Sequence, residues 1–388
     1  MSPTAAPRRL RLGMVGGGQG AFIGAVHRIA ARLDDDWELV AGALSSDPAR
    51  ARASGTELRI DPERCYSDYR EMARAEAERT RHGGDGIDAV AIVTPNHLHF
   101  PVACAFIEAG IHVVCDKPLT TSLADAQHLQ ALVRQHDVRL CLTHNYSGYP
   151  LIRAARALVE AGELGEVRIV QVEYAQDWLA QPLEASGQKQ AAWRTDPALA
   201  GPAGCLGDIG THAAQLAEFV IGLAPHQLSA ELTTFVPGRR VDDHVQVQLR
   251  YANGARGLLW ASQVATGEEN HLRLRVYGTK AALHWDQEQP NALTWQPAGQ
   301  PAQRLTRGMA SLPAMAAAAT RTPTGHPEGY LEAFAQLYRD FASDLRDLAR
   351  PASVPGVDDG VRSLAFVETV LASAAHDGAW TALPRDPS

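Results

Sequence analysis

The stretch Met14-Val15-Gly16-Gly17-Gly18-Gln19-Gly20-Ala21-Phe22-Ile23-Gly24-Ala25-Val26-His27 decides the reading of the chain, because it holds too many glycines for the interior of a strand or helix. An apolar run, Leu10–Val15, precedes it, and a helix-like segment, Ala25–Leu33, follows. Strand, glycine turn and helix in this order make a dinucleotide-binding junction. Glycines permit the tight turn and let backbone N–H groups approach a pyrophosphate at the helix N-terminus. Read literally, Gly16, Gly18 and Ala21 satisfy G-x-G-x-x-G/A, while Gly24 competes for the third position at a longer spacing. The competing reading is a glycine-rich turn that binds nothing.

Outward from this stretch, 388 residues suffice for two domains with separate cores. A net charge of −8 argues against a nucleic-acid or anionic-membrane partner, both of which need a basic face. No apolar run is long enough to span a bilayer. Arg8-Arg9-Leu10-Arg11 leads into a glycine turn and not into an apolar export segment, so an export signal is rejected. Cys65, Cys104, Cys115, Cys141 and Cys205 are widely spaced and form no C-x-x-C pair, which points to free thiols and a reducing cytoplasm.

Continuous apolar runs recur at Trp37–Leu44, Ile87–Val93, Ile111–Cys115 and Leu140–Thr143, alternating with helix-like segments at Ser67–Ala77, Leu98–Glu108 and Leu123–Gln135. Runs of this kind suit strands buried on both faces. Residues 1–146 therefore read as an α/β Rossmann domain, a doubly wound parallel sheet with its ligand at the carboxyl ends of the strands. Residues 147–388 read differently. A helix (Leu151–Glu160) and a strand (Val167–Tyr174) lead to an aperiodic stretch, Trp178–Leu206, and then to a strong helix at Asp208–Ile221. Strand-like segments follow at Leu228–Phe235, His244–Tyr251, Gly257–Gln263, Leu272–Tyr277 and Ala282–Trp285, with Asn253-Gly254 as a hairpin turn. This is an α+β domain on an open, mostly antiparallel sheet. Residues 296–329 read as a long loop or arm of unassigned role, and helices at Tyr330–Leu348 and Asp359–His376 close the chain.

The second strand should end in an acid that grips a ribose hydroxyl. It ends instead in Leu44-Ser45-Ser46-Asp47-Pro48, where Asp47 suits an N-cap with Pro48 in the first helical position. Ser45 and Ser46 suit a hydroxyl or a phosphate and Arg50 stands close by, so NAD and NADP both remain open. Thr94-Pro95-Asn96-His97-Leu98-His99 joins a buried strand to a helix where cofactor would bind. His97 and His99 make a poor metal pair without a third ligand, and no metal is expected. Asp116-Lys117-Pro118 follows another buried run, which puts the Lys117 ammonium over the crevice, able to donate a hydrogen bond or help move a proton. Asp208 and His212 are four apart at a helix start and share a face, a reasonable general acid/base pair. The bland alternatives are a strand-end lysine facing water and an Asp favoured by the helix dipole.

In this order the motifs resemble the Gfo/Idh/MocA oxidoreductases. Cys115-Asp116-Lys117-Pro118 is similar to the family's E-K-P, Asp208-Ile209-Gly210-Thr211-His212 to D-x-G-x-H, Gly24-Ala25-Val26-His27 to G-x-x-H, Thr94-Pro95-Asn96 to T-P-N and Trp193-Arg194 to W-R. The resemblance implies NAD(P)-dependent oxidation or reduction of a secondary alcohol on a sugar, glycoside or cyclitol. It also implies a homodimer or homotetramer formed through the sheet's outer face. Lys117 would polarise the reacting oxygen, His212 would serve as acid/base and Asp208 would orient the substrate. Asn145 would lie near the nicotinamide and the substrate, and His99, Asp116, Trp193 and Arg194 along the cofactor. Two departures stand out: Asp116 is a methylene shorter than the family's glutamate, and the glycine turn is three residues longer. The G-x-x-H match makes Gly16 and Gly18 the first two glycines and Gly24 the third, with Gln19, Gly20, Ala21, Phe22 and Ile23 as an enlarged loop over the pyrophosphate. Trp178 and its neighbours would then cover the sugar. Two further classes share the fold: a hydrolase that recycles bound NAD, and a cofactor-binding regulator without activity.

Overall fold

The computed structural model describes residues 7–384. The chain divides into two compact units. One comprises the chain through Thr120, Ala124–Thr143 and Phe334–Gly360, and the other Thr121–Leu123, His144–Ala333 and the chain from Val361 onward.

The first unit is built on five parallel strands: β1 (Leu10–Gly16), β2 (Trp37–Ala43), β3 (Ala89–Val93), β4 (His112–Cys115) and β5 (Leu140–Leu142). Their order is β2-β1-β3-β4-β5, a doubly wound sheet. Leu12, Met14, Val90, Ile92, Val113 and Leu142 are almost wholly inaccessible, as continuous apolar runs require when helices cover both faces. Helices Phe22–Leu33, Pro48–Glu57, Tyr69–His82, His99–Glu108 and Leu123–His136 supply the cover. Asp47 does cap Pro48–Glu57, its carboxylate accepting the Arg50 N–H at 2.8 Å.

The expectation of a single division near residue 146 does not describe how 334–360 packs. Tyr338, from helix Tyr330–Arg346, hydrogen-bonds the His27 Nδ1 through its hydroxyl at 2.8 Å and accepts the Trp37 indole N–H on its carbonyl at 2.9 Å. Phe341 stacks on Trp37, and Phe334 lies 5.1 Å from the His27 ring. The amphipathic face of this helix matches an aromatic patch of the N-terminal unit, a pairing that linear order hides.

The second unit carries a nine-stranded sheet: β6 (Val167–Ala175), β7 (Pro225–Thr233), β8 (His244–Tyr251), β9 (Arg256–Ser262), β10 (His271–Gly278), β11 (Ala281–Asp286), β12 (Ala292–Pro297), β13 (Gln303–Thr306) and β14 (Thr381–Ala382). The order is β13-β12-β11-β10-β6-β9-β8-β7-β14, antiparallel except for the β6–β9 pair. Asn253-Gly254 joins β8 to β9, with Gly254 at φ 89°. On one face Val170, Val172, Leu259 and Leu274 share a core with Leu151, Leu216 and Val220 of helices Pro150–Glu160 and Thr211–Ile221. The other face presents Glu173, Arg273, Arg275 and Leu258.

Residues 296–329 are not a bare loop. They hold the end of β12, all of β13 and helix Ala314–Ala318. Buried Arg307 organises them, donating to the carbonyls of Thr322 and Pro323 and pairing with Glu328 at 2.9 Å. Glu328 in turn accepts the Arg321 and Thr322 N–H groups. A structure ordered by one buried guanidinium leaves no periodic trace in sequence.

Candidate active site

In the first unit the glycine turn follows β1 with Gly16, Gly17 and Gly20 at φ 79°, 71° and 77°, backbone that favours glycine. Gly24 is the glycine on which the helix seats. A Cβ there would stand 2.4 Å from the Gly17 Cα, so the two backbones touch. Gly17 went unnoticed in the sequence because the G-x-G spacing steps over it. Ala21 is the N-cap residue, with φ −93° and ψ 112°, and not the packing position. The enlarged loop is shorter than expected: Phe22 and Ile23 already form the first turn of helix Phe22–Leu33, since once Gly24 meets Gly17 nothing keeps the chain from coiling earlier.

The turn is braced from below. The Arg28 guanidinium donates to the Gly17 carbonyl at 2.6 Å, and the Gln19 N–H donates to Ser54 Oγ at 3.2 Å. An open depression of about 360 Å³ adjoins it, lined by Gly18, Gln19, Gly20, Phe22, Arg28 and Glu57 among others. Helix Phe22–Leu33 begins with no side-chain cap and no acid in its first turn. No heavy atom lies within 4 Å of where a Gly20 Cβ would be. Bare N–H groups at a helix start fit a diphosphate, whose oxygens would satisfy them.

At the neighbouring strand ends, Thr94 Oγ1 is buried without a hydrogen-bond partner among the described residues, again what a bound ligand would satisfy. Pro95 leads into a short turn, Asn96–Leu98. Both ring nitrogens of His99 are engaged within the protein. The residue is buried, with Nδ1 2.7 Å from the Pro118 carbonyl and Nε2 3.0 Å from that of Thr94. Burial lowers its pKa, so the neutral ring donates to one carbonyl only, and it ties two strand-end loops together. Asp116 Oδ1 accepts from Thr143 Oγ1 at 2.8 Å and from the Lys117 N–H at 3.1 Å, so the shorter acid is fixed at the base of the Lys117 turn. Lys117 is half-buried. Ser45 Oγ accepts the Asp47 N–H at 3.1 Å, and Ser46 is exposed.

In the second unit a buried turn, Asn145–Gly148, precedes helix Pro150–Glu160. It brings together residues the sequence showed only singly. The His212 ring lies 5.0 Å edge-on from Tyr146, 5.9 Å from His144 and 6.4 Å from Tyr174. Tyr146 hydrogen-bonds Tyr174, which donates to Asn270 Oδ1 at 2.7 Å. Burial raises both phenol pKa values, so the pair stays neutral and donates. The Asn145 Nδ2 is buried without a hydrogen-bond partner among the described residues. Of these residues only Asn145 and His212 were foreseen. The adjacent His144 and Tyr146, just past a buried strand, were the signal available for the rest.

Asp208 lies in a π-helical turn, Leu206–Gly210, that widens into helix Thr211–Ile221. A single α-helix from 208 was expected; the wider turn inserts a residue where functional side chains are often redirected. The Asp208 carboxylate accepts from Gln263 Nε2 at 2.9 Å and lies 3.5 Å from Arg194 Nε. The Arg194 guanidinium sits 4.3 Å over the Trp193 ring and 6.0 Å from that of Trp178. Trp193 and Arg194, expected along the cofactor, thus gather with Trp178 beside Asp208, because the charge on Arg194 is satisfied by that carboxylate.

Next to Asn270, His271 stands between Glu268 Oε2 at 2.6 Å and Asp286 Oδ2 at 2.8 Å, with Glu288 nearby. Burial lowers its pKa, but the bonds to Asp286 and Glu268 outweigh it and the net shift is upward.

An NAD-binding Rossmann oxidoreductase family matches residues 10–144, and the Gfo/Idh/MocA C-terminal domain matches residues 152–284. The uncharacterized oxidoreductase YfiI of Bacillus subtilis is 34% identical over 96% of each chain. The chain belongs to the Gfo/Idh/MocA family. An inositol dehydrogenase homolog from Azotobacter vinelandii, solved with NADH and myo-inositol, is 37% identical over 97% of this chain and 98% of its own, with a TM-score of 0.89. Levoglucosan dehydrogenase of Pseudarthrobacter phenanthrenivorans is 28% identical over 74% of this chain and 76% of its own. This Gfo/Idh/MocA protein is an NAD-dependent oxidoreductase. No described helix is long and apolar enough to cross a membrane.

Proposed function

We propose that the protein oxidises a secondary hydroxyl of a cyclitol or sugar ring, or reduces the corresponding ketone. The observation that carries this is the buried polar group of the second unit, in which His212, His144, Tyr146, Tyr174 and Asn145 gather within one turn-and-helix neighbourhood. Imidazole, phenol and amide groups held out of water suit a ligand that offers several hydroxyls. The A. vinelandii neighbour with myo-inositol and the levoglucosan relative support the same substrate class.

The roles follow from residue chemistry. His212 accepts the hydroxyl proton, since an imidazole is the side chain suited to that near neutral pH. Asp208, fixed by Gln263 and Arg194, accepts a hydrogen bond from a neighbouring substrate hydroxyl. Lys117 donates to the reacting oxygen and stabilises its developing charge. Asn145 offers its amide to the substrate or the nicotinamide, and the Trp178 face covers ring C–H groups. On the cofactor side, Gly18, Gly20 and the uncapped first turn of helix Phe22–Leu33 offer backbone N–H groups to the diphosphate, Gly16 shapes the turn, Ser45 and Ser46 contact the ribose, and Thr94, Pro95 and Asn96 line the nicotinamide side. NAD, when bound, supplies the hydride acceptor. The family resemblance further implies a homodimer or homotetramer, which sedimentation equilibrium measures.

The test is a panel of cyclitols and sugars, myo-inositol and levoglucosan included, followed by NADH absorbance. Lys117→Ala and His212→Ala each lower kcat by about 10²–10⁴ in this reading. Turnover near that of the native enzyme in both variants overturns the assignment. Product release without net absorbance change points instead to a hydrolase that recycles its cofactor.

A further inference from the structure

The helix that carries Asp208 and His212 has no capping side chain of its own. Gly204 stands in the N-cap position, its carbonyl accepting the Asp208 N–H at 2.9 Å. The groups that need acceptors there are met from a distant loop between β7 and β8. The Asp242 carboxylate accepts the Gly204 N–H on Oδ1 and the Leu206 N–H on Oδ2, both at 2.7 Å. The Asp242 carbonyl accepts the Cys205 N–H between them at 2.9 Å. Three consecutive N–H groups are thus satisfied by one residue, itself 7% exposed. A Cβ at 204 would stand 2.3 Å from the Asp242 carbonyl oxygen, so glycine is required for the approach.

The same loop holds the rest of the neighbourhood. Asp243 accepts the Phe235 and Val236 N–H groups and pairs with buried Arg239, which donates to the Leu179 carbonyl and pairs with Glu184. The Asp243 carbonyl accepts the Gln263 N–H, and the Gln263 side chain donates to Asp208.

We propose that Asp242 is a positioning residue, which caps the π-turn helix in trans and so sets where Asp208 and His212 stand. The inference rests on the reading above that these two residues act on substrate. The two acceptor oxygens fix both the height and the rotation of the first turn, and a widened turn has few other constraints on its rotation. Burial raises the Asp242 carboxyl to about 6 against the lowering pull of the Leu206 and Gly204 N–H donors, with Asp243 adding to the rise. The titratable groups facing it are Asp243 and the Cys205 thiol, on which Asp208 also acts.

The experiment compares the native protein with bound NAD, Asp242→Asn and Asp242→Ala by amide hydrogen exchange of peptides covering 203–212. Expected is exchange about ten-fold faster in Asp242→Ala and intermediate in Asp242→Asn, with the β1–β5 peptides unchanged. In the native protein, corrected for intrinsic rates, protection of 203–212 rises from about pH 8 to about pH 5, because the carboxyl raised in the folded state takes up its proton there before the opened state does; in Asp242→Asn it is flat. With a turned-over substrate, kcat falls about ten-fold in Asp242→Ala while KM for NAD stays within about two-fold. Unchanged exchange in Asp242→Ala overturns the proposal. So does faster exchange with native kcat when His212→Ala has lost turnover. Native turnover in His212→Ala overturns the functional reading instead, and leaves the exchange result to judge the cap.

Discussion

Two of the described junctions where a loop enters a helix treat the first N–H groups in opposite ways. At Ala21 the helix starts with no cap and no acid, so its N–H groups are left for an anionic ligand. At Gly204 a buried carboxylate takes the equivalent groups, so that helix start accepts no anion and serves to hold side chains still. Both junctions rely on glycine for close backbone approach, Gly24 against Gly17 and Gly204 against Asp242. The difference between a cofactor site and a rigid platform is thus who satisfies the helix end.

The sharpest way to break the first junction is Gly24→Val. Its Cβ would collide with the Gly17 backbone, and we expect destabilisation of about 2–4 kcal/mol and NAD affinity weakened about a hundred-fold, read by denaturant unfolding and by titration. Gly204→Ala breaks the second junction. It should cost about 1–3 kcal/mol and lower kcat while leaving NAD affinity within about two-fold, because the clash is with Asp242 and not with the cofactor turn. Ala21→Asp converts the first junction into a likeness of the second. A cap there stabilises the apo protein by about 0.5–2 kcal/mol, yet NAD binding weakens about ten-fold, since the new charge faces the diphosphate. Stability and affinity moving together in Ala21→Asp would contradict the comparison.

The smallest effect belongs to a site outside both junctions. The folded-state pKa of His271 is raised, so its bridge contributes stability that is complete below the ordinary histidine pKa and lost as pH rises through the raised value. His271→Gln should therefore lower Tm more at about pH 5 than at about pH 8. The bridge is partly solvated, so the gap should be below ~1 kcal/mol. A pH-independent difference would show that the ring does not titrate there.

The buried strands of the first sheet were legible because a strand covered on both faces must be apolar along its length, as Ala89–Val93 is. Gly24 was legible through its spacing to His27. Gly17 was not, since its partner Gly24 touches it only once the turn has folded. Asp208 and His212 were legible as a pair of residue types, but Gln263 and Arg194, which hold Asp208, come from the residue just past β9 and from the aperiodic stretch. Tyr174 met Tyr146 only through the pairing of a strand with a distant turn.

The sequence by itself determined the parallel sheet, the glycine junction and the residue types proposed for the chemistry, because backbone freedom and hydrophobic period are local properties. The tertiary structure alone decided what caps each helix, where Arg194 and His99 spend their hydrogen bonds, and how 296–329 is ordered. Those choices depend on buried polar groups finding partners tens of residues away, and a buried donor accepts whichever partner the fold delivers.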